Sequence, residues 1–116
     1  MSFIQHFGGE IKPGTAREFQ AWLAGNEKEF GNAHPDGAKY LGTYFTMYSS
    51  DRVGGAVHTF VELESYGTQD VLAAAAQGDD TYATLLNEFA TFFNEESPNW
   101  TSALYKKVTA ASIFGE

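Results

Sequence analysis

The 116-residue sequence contains no cysteine, only three prolines and only seven basic residues. Without cysteine the chain can form no disulfide, no thiolate metal site and no cysteine nucleophile. Fifteen acidic residues against seven basic ones give a net charge of −8, which argues against nucleic acid or an anionic membrane as a partner. No apolar run approaches the roughly 18 residues of a membrane span, and the first residues lack a signal-peptide pattern. These absences predict a cytoplasmic protein.

Phosphate-binding and nucleophile motifs are also missing. The sequence has no Walker loop, no G-x-G-x-x-G and no G-x-S-x-G. The pairs Gly8-Gly9 and Gly54-Gly55 are too short to cradle a phosphate and are typical of a weakened or bulged strand end and of a turn. We therefore expect no cofactor.

Aromatic residues, in contrast, are abundant. Ten Phe, six Tyr and two Trp make up 16% of the chain. That supply is sufficient for a core and leaves aromatic surface that is typical of an interface. The length predicts a single domain over 1–116.

The order of the apolar patterns predicts the fold class. Alternation with a period of two predicts strands at 3–10, 40–48, 56–63 and 100–108, and helical spacing fills the gaps between the first two and the last two. The resulting order is an α+β, ferredoxin-like βαββαβ unit. Its four-stranded antiparallel sheet would carry both helical regions on one face and leave the other face to be covered by something else.

Capping signals set the predicted helix ends. Thr15 and Glu18 form a capping box for the first helix, which ends at Gly31. The second helical region is broken: Thr68 would cap a short alanine-rich helix, and Asp79 or Asp80 would cap the next. The turn at 97–99 ends the latter, and the alanine run at 73–76 predicts close packing. The longer helix has a single apolar stripe: Tyr82, Leu85, Leu86, Phe89, Phe92 and Phe93.

A loose hairpin at 49–55 joins the second and third strands. If Tyr48 pairs with Ala56, Tyr44 lies beside Phe60, and any even shift keeps the same faces together. One face would then carry the tyrosines Tyr40, Tyr44 and Tyr48 together with His58, Phe60 and Glu62.

This arrangement resembles the dimeric α/β-barrel superfamily. The resemblance rests on the topology, the broken second helix, the Lys12-Pro13-Gly14 segment and the His34-Pro35-Asp36-Gly37 turn. The superfamily includes antibiotic-biosynthesis-type monooxygenases, NIPSNAP-like, EthD-like and stress-responsive barrel proteins. It implies a homodimer in which two sheets face each other. The Asn, Trp and His of haem-degrading members have no match, because His34 falls beyond the helix that carries Trp22 and Asn26.

The candidate site lies on the strand face that bears His58. A histidine near a carboxylate and phenols could act as a general base, with Glu62 fixing its imidazole. Tyr44 and Tyr48 would orient a substrate, and Phe60 and His6 would line the same cavity. The alternative is that these residues pack a dimer interface.

The histidines also allow two other interpretations. His6, His58 and Glu62 could form a two-histidine, one-carboxylate metal set if the first and third strands are neighbours, but no motif supports it, and we expect no metal site. His34, just before Pro35, is typical of a turn residue.

The sequence thus leaves two functions open. The first is a cofactor-independent monooxygenase or isomerase that acts on an apolar aromatic or quinone-like small molecule. The alternative is a non-catalytic dimer that binds a small apolar ligand, or a structural interaction module. In both cases a homodimer is expected to cover the strand faces that bear Tyr40, Tyr44, Tyr48, Phe60 and Leu104. The apolar tail with Ile113 and Phe114, and Trp100, would add to that contact.

Overall fold

The computed structural model describes residues 3–48, 56–93 and 101–109. Within these ranges the chain forms strands and helices in the predicted order. In chain order they are β1 (Phe3–Glu10), α1 (Ala16–Asn32), β2 (Ala38–Phe45), β3 (Ala56–Leu63), α2 (Thr68–Ala76), α3 (Thr81–Ala90) and β4 (Thr101–Lys106).

The strands form one antiparallel sheet in the order β2-β3-β1-β4. This order and the break between α2 and α3 confirm the predicted ferredoxin-like α+β fold. The hairpin at 49–55, the turn at 97–99, Trp100 and the tail with Ile113 and Phe114 lie outside the described residues.

One face of the sheet forms the core with the helices. Alternate residues of β3 (Val57, Thr59, Val61 and Leu63) are fully buried there. Val57, Val61 and Leu63 join Phe3 and Phe7 of β1 and the apolar sides of the three helices in one cluster. The predicted apolar stripes of the helices thus pack on the sheet. Burial of apolar area is the main force that holds the two layers together.

Phe89 of α3 is at the centre of this core. Its ring lies 5.6 Å from that of Phe19 and 5.9 Å from that of Phe30, both on α1, and 6.4 Å from that of Phe7 on β1. Contacts of this kind add to area burial. One set of aromatic rings therefore joins α1, α3 and the sheet.

The helix starts agree with the prediction only in part. Asp80 caps α3, since its Oδ1 accepts the N–H of Ala83 at 3.2 Å. The predicted capping box at Thr15 is wrong: the Thr15 hydroxyl donates to the carbonyl of Lys12 at 2.6 Å and makes no cap bond. Thr68 is the first residue of α2 rather than its cap, and α1 continues past Gly31 to Asn32.

The predicted pairing of β2 with β3 is also wrong. Tyr44 pairs with His58 rather than Phe60, and the register shifts between Tyr40 and Gly42. Because a bulge adds one residue to β2, the faces exchange at that point. Tyr40 consequently lies on the helix side, opposite Val61, instead of sharing a face with Tyr44.

Leu104 was predicted on the outward face of the fourth strand, and this assignment is wrong as well. It pairs with Gln5, which faces the helices, and it packs against the core. Tyr105 takes the outward position beside Ile4. None of the helices in the described ranges is long and apolar enough to cross a membrane.

Candidate functional site

The face of the sheet that points away from the helices holds most of the predicted site residues. We call this surface the open face. From the strand registers and the alternation of side chains it includes Ile4, His6, Gly8, Lys39, Gly42, Tyr44, His58, Phe60, Glu62, Thr101, Ala103 and Tyr105.

His58 lies in a row that crosses all four strands: Tyr44, His58, Gly8 and Thr101. Gly8 has no side chain, so the imidazole of His58 spans β1 and places its Nε2 3.2 Å from the Thr101 hydroxyl on β4. The residue is only 8% exposed although it lies on this face. Its imidazole is thus held by a hydroxyl from across the sheet.

Tyr44 and Phe60 pack together at the β2 side of the open face. Their rings lie 5.8 Å apart in an edge-to-face arrangement. The Tyr44 ring folds over Gly42, where a Cβ would approach it to 2.9 Å, and Gly42 has a φ of +144°. Glycine at this position therefore allows the ring to lie flat along the sheet.

His6 is the centre of the next row. Its ring lies 4.8 Å from that of His58, 5.5 Å from that of Phe60 and 5.4 Å from that of Tyr105. The Tyr105 hydroxyl is 3.5 Å from Nδ1 of His6, at the limit of a hydrogen bond. The open face therefore brings His6, His58, Phe60 and Tyr44 together, as the sequence predicted for one face.

Glu62 and Tyr48 lie away from this cluster. Glu62 is four residues beyond His58, so that about 13 Å of strand separates their Cα atoms and Phe60 stands between them. Tyr48 follows the end of β2 and is 86% exposed. In the parts of the chain that the structure describes, no three acidic or histidine side chains are grouped to hold a metal ion, so the alternative set of His6, His58 and Glu62 is not assembled.

A cavity of about 210 Å³, open to solvent where Ala73 and Ser102 are exposed, lies on the opposite side of the sheet, between β1, β4 and the helices α2 and α3. Its wall is mainly apolar, and three polar side chains, Gln5, Gln69 and Ser102, join that wall. The apolar lining consists of Phe7, Leu72, Ala73, Ala76, Tyr82 and Leu86.

Gln5 carries the chemically distinctive atom of this cavity. Its Nε2 donates to the Ser102 hydroxyl at 3.1 Å. Its Oε1 is buried and has no hydrogen-bond partner. A buried acceptor without a donor costs free energy.

Among the residues that the structure describes, no charged side chain lines the cavity. The Tyr82 hydroxyl stays neutral near pH 7, because burial raises the pKa of Tyr82 to about 12. An ionised ligand would find no counter-charge here, and burying an unpaired charge is costly. The lining therefore suits a neutral molecule.

Sequence reasoning did not find this cavity. The alanine run at 73–76 predicts close packing, and Ala75 and Ala76 do pack against the core. Ala73 and Ala76 also line this cavity, which the run does not predict. One signal was present in the sequence: Gln5 stands between Phe3 and Phe7 in a period-two strand, where an apolar residue is expected.

His34 was predicted to be a turn residue, but its side chain is partly buried and contacts neighbouring groups. Its Nδ1 donates to the carbonyl of Phe30 at 2.9 Å, and its ring lies 4.8 Å from that of Tyr82. The bond fixes the proton on Nδ1, which leaves Nε2 as a buried acceptor without a partner. Burial lowers the pKa of His34 from 6.5, against the raising effect of its backbone hydrogen bonds to Phe30 and Gly31.

We expect the protein to lose stability as the pH falls below 6.5, because the unfolded chain then binds a proton at His34 more readily than the folded chain does. Thermal unfolding between pH 7.5 and pH 5 measures this loss. The His34→Asn variant, whose side-chain amide takes the place of Nδ1 and can still donate to Phe30, should show a shallower decline, since the contribution of His34 is then absent. Equal slopes for the two proteins would contradict the assignment.

The fold is shared by several solved structures. A NIPSNAP domain protein of Burkholderia xenovorans matches with a TM-score of 0.66 at 10% identity, over 95% of this chain and 98% of the other. A monooxygenase of Streptomyces coelicolor, in complex with the ligand nanaomycin D, matches with a TM-score of 0.56 at 18% identity, over 96% and 91% of the two chains.

A haem degrader of Mycobacterium tuberculosis with two haems bound in its active site matches with a TM-score of 0.51 at 13% identity, over 95% of this chain and 99% of the other. No protein-family model matches the sequence, and a comparison with curated proteins finds no match. The likeness to solved structures establishes the fold of this chain.

Proposed function

We propose that this protein binds a small, neutral and mainly apolar molecule in the cavity between the sheet and α2 and α3. The observation that supports this most directly is the mainly apolar lining of the cavity, which the polar side chains of Gln5, Gln69 and Ser102 interrupt. Apolar walls with a few placed polar groups are the usual composition of ligand sites. Structures of the same fold hold small ligands, nanaomycin D in one case and haem in another.

The proposal includes a homodimer that forms through the open face. Three large apolar side chains of this face are substantially exposed in the single chain: Ile4 at 38%, Tyr44 at 58% and Tyr105 at 50%. The helices cover the other side of the sheet. A second copy would cover this exposed aromatic surface and also protect the sheet from other contacts.

The catalytic role predicted for His58 and Glu62 stays a prediction. The contacts and the position of His58 differ from those that the prediction assumed. The hydroxyl of Thr101, rather than Glu62, is the group that holds the imidazole of His58. His58 and the cavity also lie on opposite sides of the sheet. A ligand in the cavity is therefore out of reach of His58 in the same chain, which favours the non-catalytic binding function over the monooxygenase or isomerase.

Filling the cavity tests the binding function. In an Ala76→Leu variant the larger side chain would occupy the space beside Phe7 and Tyr82, and we expect the affinity for toluene or phenol to fall by at least about tenfold. Isothermal titration calorimetry measures the affinity, and circular dichroism checks the fold.

Ala74→Leu is the matched control, since Ala74 lies on the same helix but is exposed and does not line the cavity. It should bind both probes as the unmodified protein does. Equal loss in both variants, or no loss in either, would argue against this cavity as the site.

A further inference from the structure

We infer that the pair of histidines on the open face, His6 and His58, makes the homodimer sensitive to pH, so that the two chains separate in mild acid. This inference rests on the proposed homodimer and adds its regulation. Three properties of the pair support it: the short distance between the two rings, their position at the middle of the open face, and the charges around them.

The two imidazole rings are close enough for their charges to repel. Their centroids lie 4.8 Å apart, and the ring planes are tilted by 37°. Both rings belong to the two central strands of the sheet, since His6 lies on β1 and His58 on β3. A proton on one ring disfavours a proton on the other, so the pair takes up its protons one after the other. The first proton is therefore the one that acts in mild acid.

The pair lies between the exposed apolar side chains that a second chain is proposed to cover. Tyr44 is opposite His58 on β2, and Ile4 and Tyr105 lie next to His6 on β1 and β4. These three side chains are all substantially exposed in the single chain. A partner sheet that covers them must also cover the two imidazoles. The pair would thus be inside the contact rather than at its rim.

Few charges on the open face can balance a proton on the pair. Within the described strands the nearest carboxylate is that of Glu62, which is diagonal to His6 in the register, and Lys39 lies directly opposite Glu62. The remaining titratable groups that these strands place on the face are the exposed Glu10 and the phenols of Tyr44 and Tyr105. Because Lys39 offsets Glu62, a proton on the pair adds net positive charge to the contact, and the partner adds the same charge.

Dimer formation would remove water from the pair. His6 is only partly buried in the single chain, so water reaches it there, whereas a second sheet would cover it. Burial without a counter-charge disfavours the charged form of an imidazole. Two separate chains therefore bind more protons than the dimer does. The dissociation constant should be steady above the ordinary histidine pKa of about 6.5 and should rise below it, by up to about two powers of ten per pH unit for one proton per chain.

The test is sedimentation equilibrium of the full chain between pH 8 and pH 5 at constant ionic strength, with circular dichroism to check the fold at each pH. We expect the dissociation constant of the unmodified protein to rise by about a hundredfold between pH 7.5 and pH 5.5. A double variant, His6→Asn with His58→Gln, should show less than about a threefold rise, because neither amide titrates. Glutamine can still reach the Thr101 hydroxyl, which His58 contacts through Nε2.

His34→Asn is the matched control, because His34 lies on the helix side of the sheet, beside Phe30 and Tyr82. Its dimer should weaken in acid as much as that of the unmodified protein. A second measurement does not depend on any variant. Dilution calorimetry of the unmodified protein at pH 6, in buffers of different ionisation enthalpy, should show the uptake of about one proton per chain as the dimer dissociates.

The outcomes separate this inference from the proposed function. A dimer that is equally stable at pH 7.5 and pH 5.5, or that weakens as much in the double variant as in the unmodified protein, would overturn the inference and leave the homodimer in place. Dissociation without proton uptake, or a loss of pH dependence in His34→Asn, would also overturn it. A dimer that tightens in acid would assign the titration to Glu62 instead. If the unmodified protein is a monomer at pH 7.5 and micromolar concentration, the proposed homodimer itself fails.

Discussion

A Gly8→Ala variant is expected to lose about 3 kcal/mol or more of its unfolding free energy. Gly8 has a φ of +155°, and a Cβ at this position would overlap the backbone carbonyl of Val57 on the neighbouring strand. Backbone of a central strand pair cannot move aside as a flexible side chain can. Thermal unfolding should show a melting temperature lower by more than about 10 °C.

Gly25→Ala is the matched control for this substitution. Gly25 lies within α1, and a Cβ there would meet no atom within 4 Å. Because alanine is the better helix former, this variant should gain about 0.5–1 kcal/mol. If the two variants unfold at similar temperatures, the close approach of β1 to β3 at Gly8 is not as described.

Strands β1 and β3 show why the fold could be predicted from the sequence. The pattern of alternation placed β1 at 3–10 and β3 at 56–63, and both strands have these bounds. Each of these strands has one face that must be buried, so a shift by one residue would expose Val57 or Phe3 and is strongly disfavoured. The apolar stripes of the helices were also specified, as the burial of Phe19, Phe30 and Phe89 shows. The predicted end of the last helix at 97–99 is wrong, because α3 ends at Ala90 and Phe93 forms a bridge with Ile11 instead.

Features that depend on one inserted residue could not be predicted. The bulge between Tyr40 and Gly42 leaves no mark in the alternation of β2, because tyrosine and threonine fit either face. It moves Tyr40 to the helix side, where its hydroxyl donates to Glu27 at 2.8 Å. Burial there raises the pKa of Tyr40, so its proton is retained, and the predicted stripe of three tyrosines is lost.

The sequence predicted which candidate residues share a face of the sheet, but not which of them contact each other. Period-two spacing correctly grouped His58 and Phe60 on β3, and the neighbouring strands brought His6 and Tyr44 beside them. The partner of His58 could not be foreseen, since Thr101 is 43 residues away in sequence and is reached only across Gly8. The cavity is the space left between packed elements, and such a space has no pattern of its own in the sequence.

An Ile4→Glu variant is expected to weaken the proposed dimer by at least about a hundredfold, since the contact would then bury a second carboxylate beside that of Glu62. Ile4 lies on a central strand of the open face, between Glu62 and Tyr105, so the new charge would also face an existing one. At 38% exposure the position can hold a glutamate in the single chain, whose carboxylate would reach water. The mass measured by light scattering at micromolar concentration should be about twice the 12.7 kDa chain mass for the unmodified protein and the chain mass itself for the variant.

Val71→Glu is the control for added charge, because Val71 is 45% exposed on the outer side of α2 and lies away from the open face. It should leave the mass at that of two chains. Circular dichroism of the Ile4→Glu monomer should match that of the dimer, since the core on the helix side is untouched. A dimer that survives Ile4→Glu but not Val71→Glu would place the contact on the helices, and a monomeric unmodified protein would remove the open face as an interface altogether.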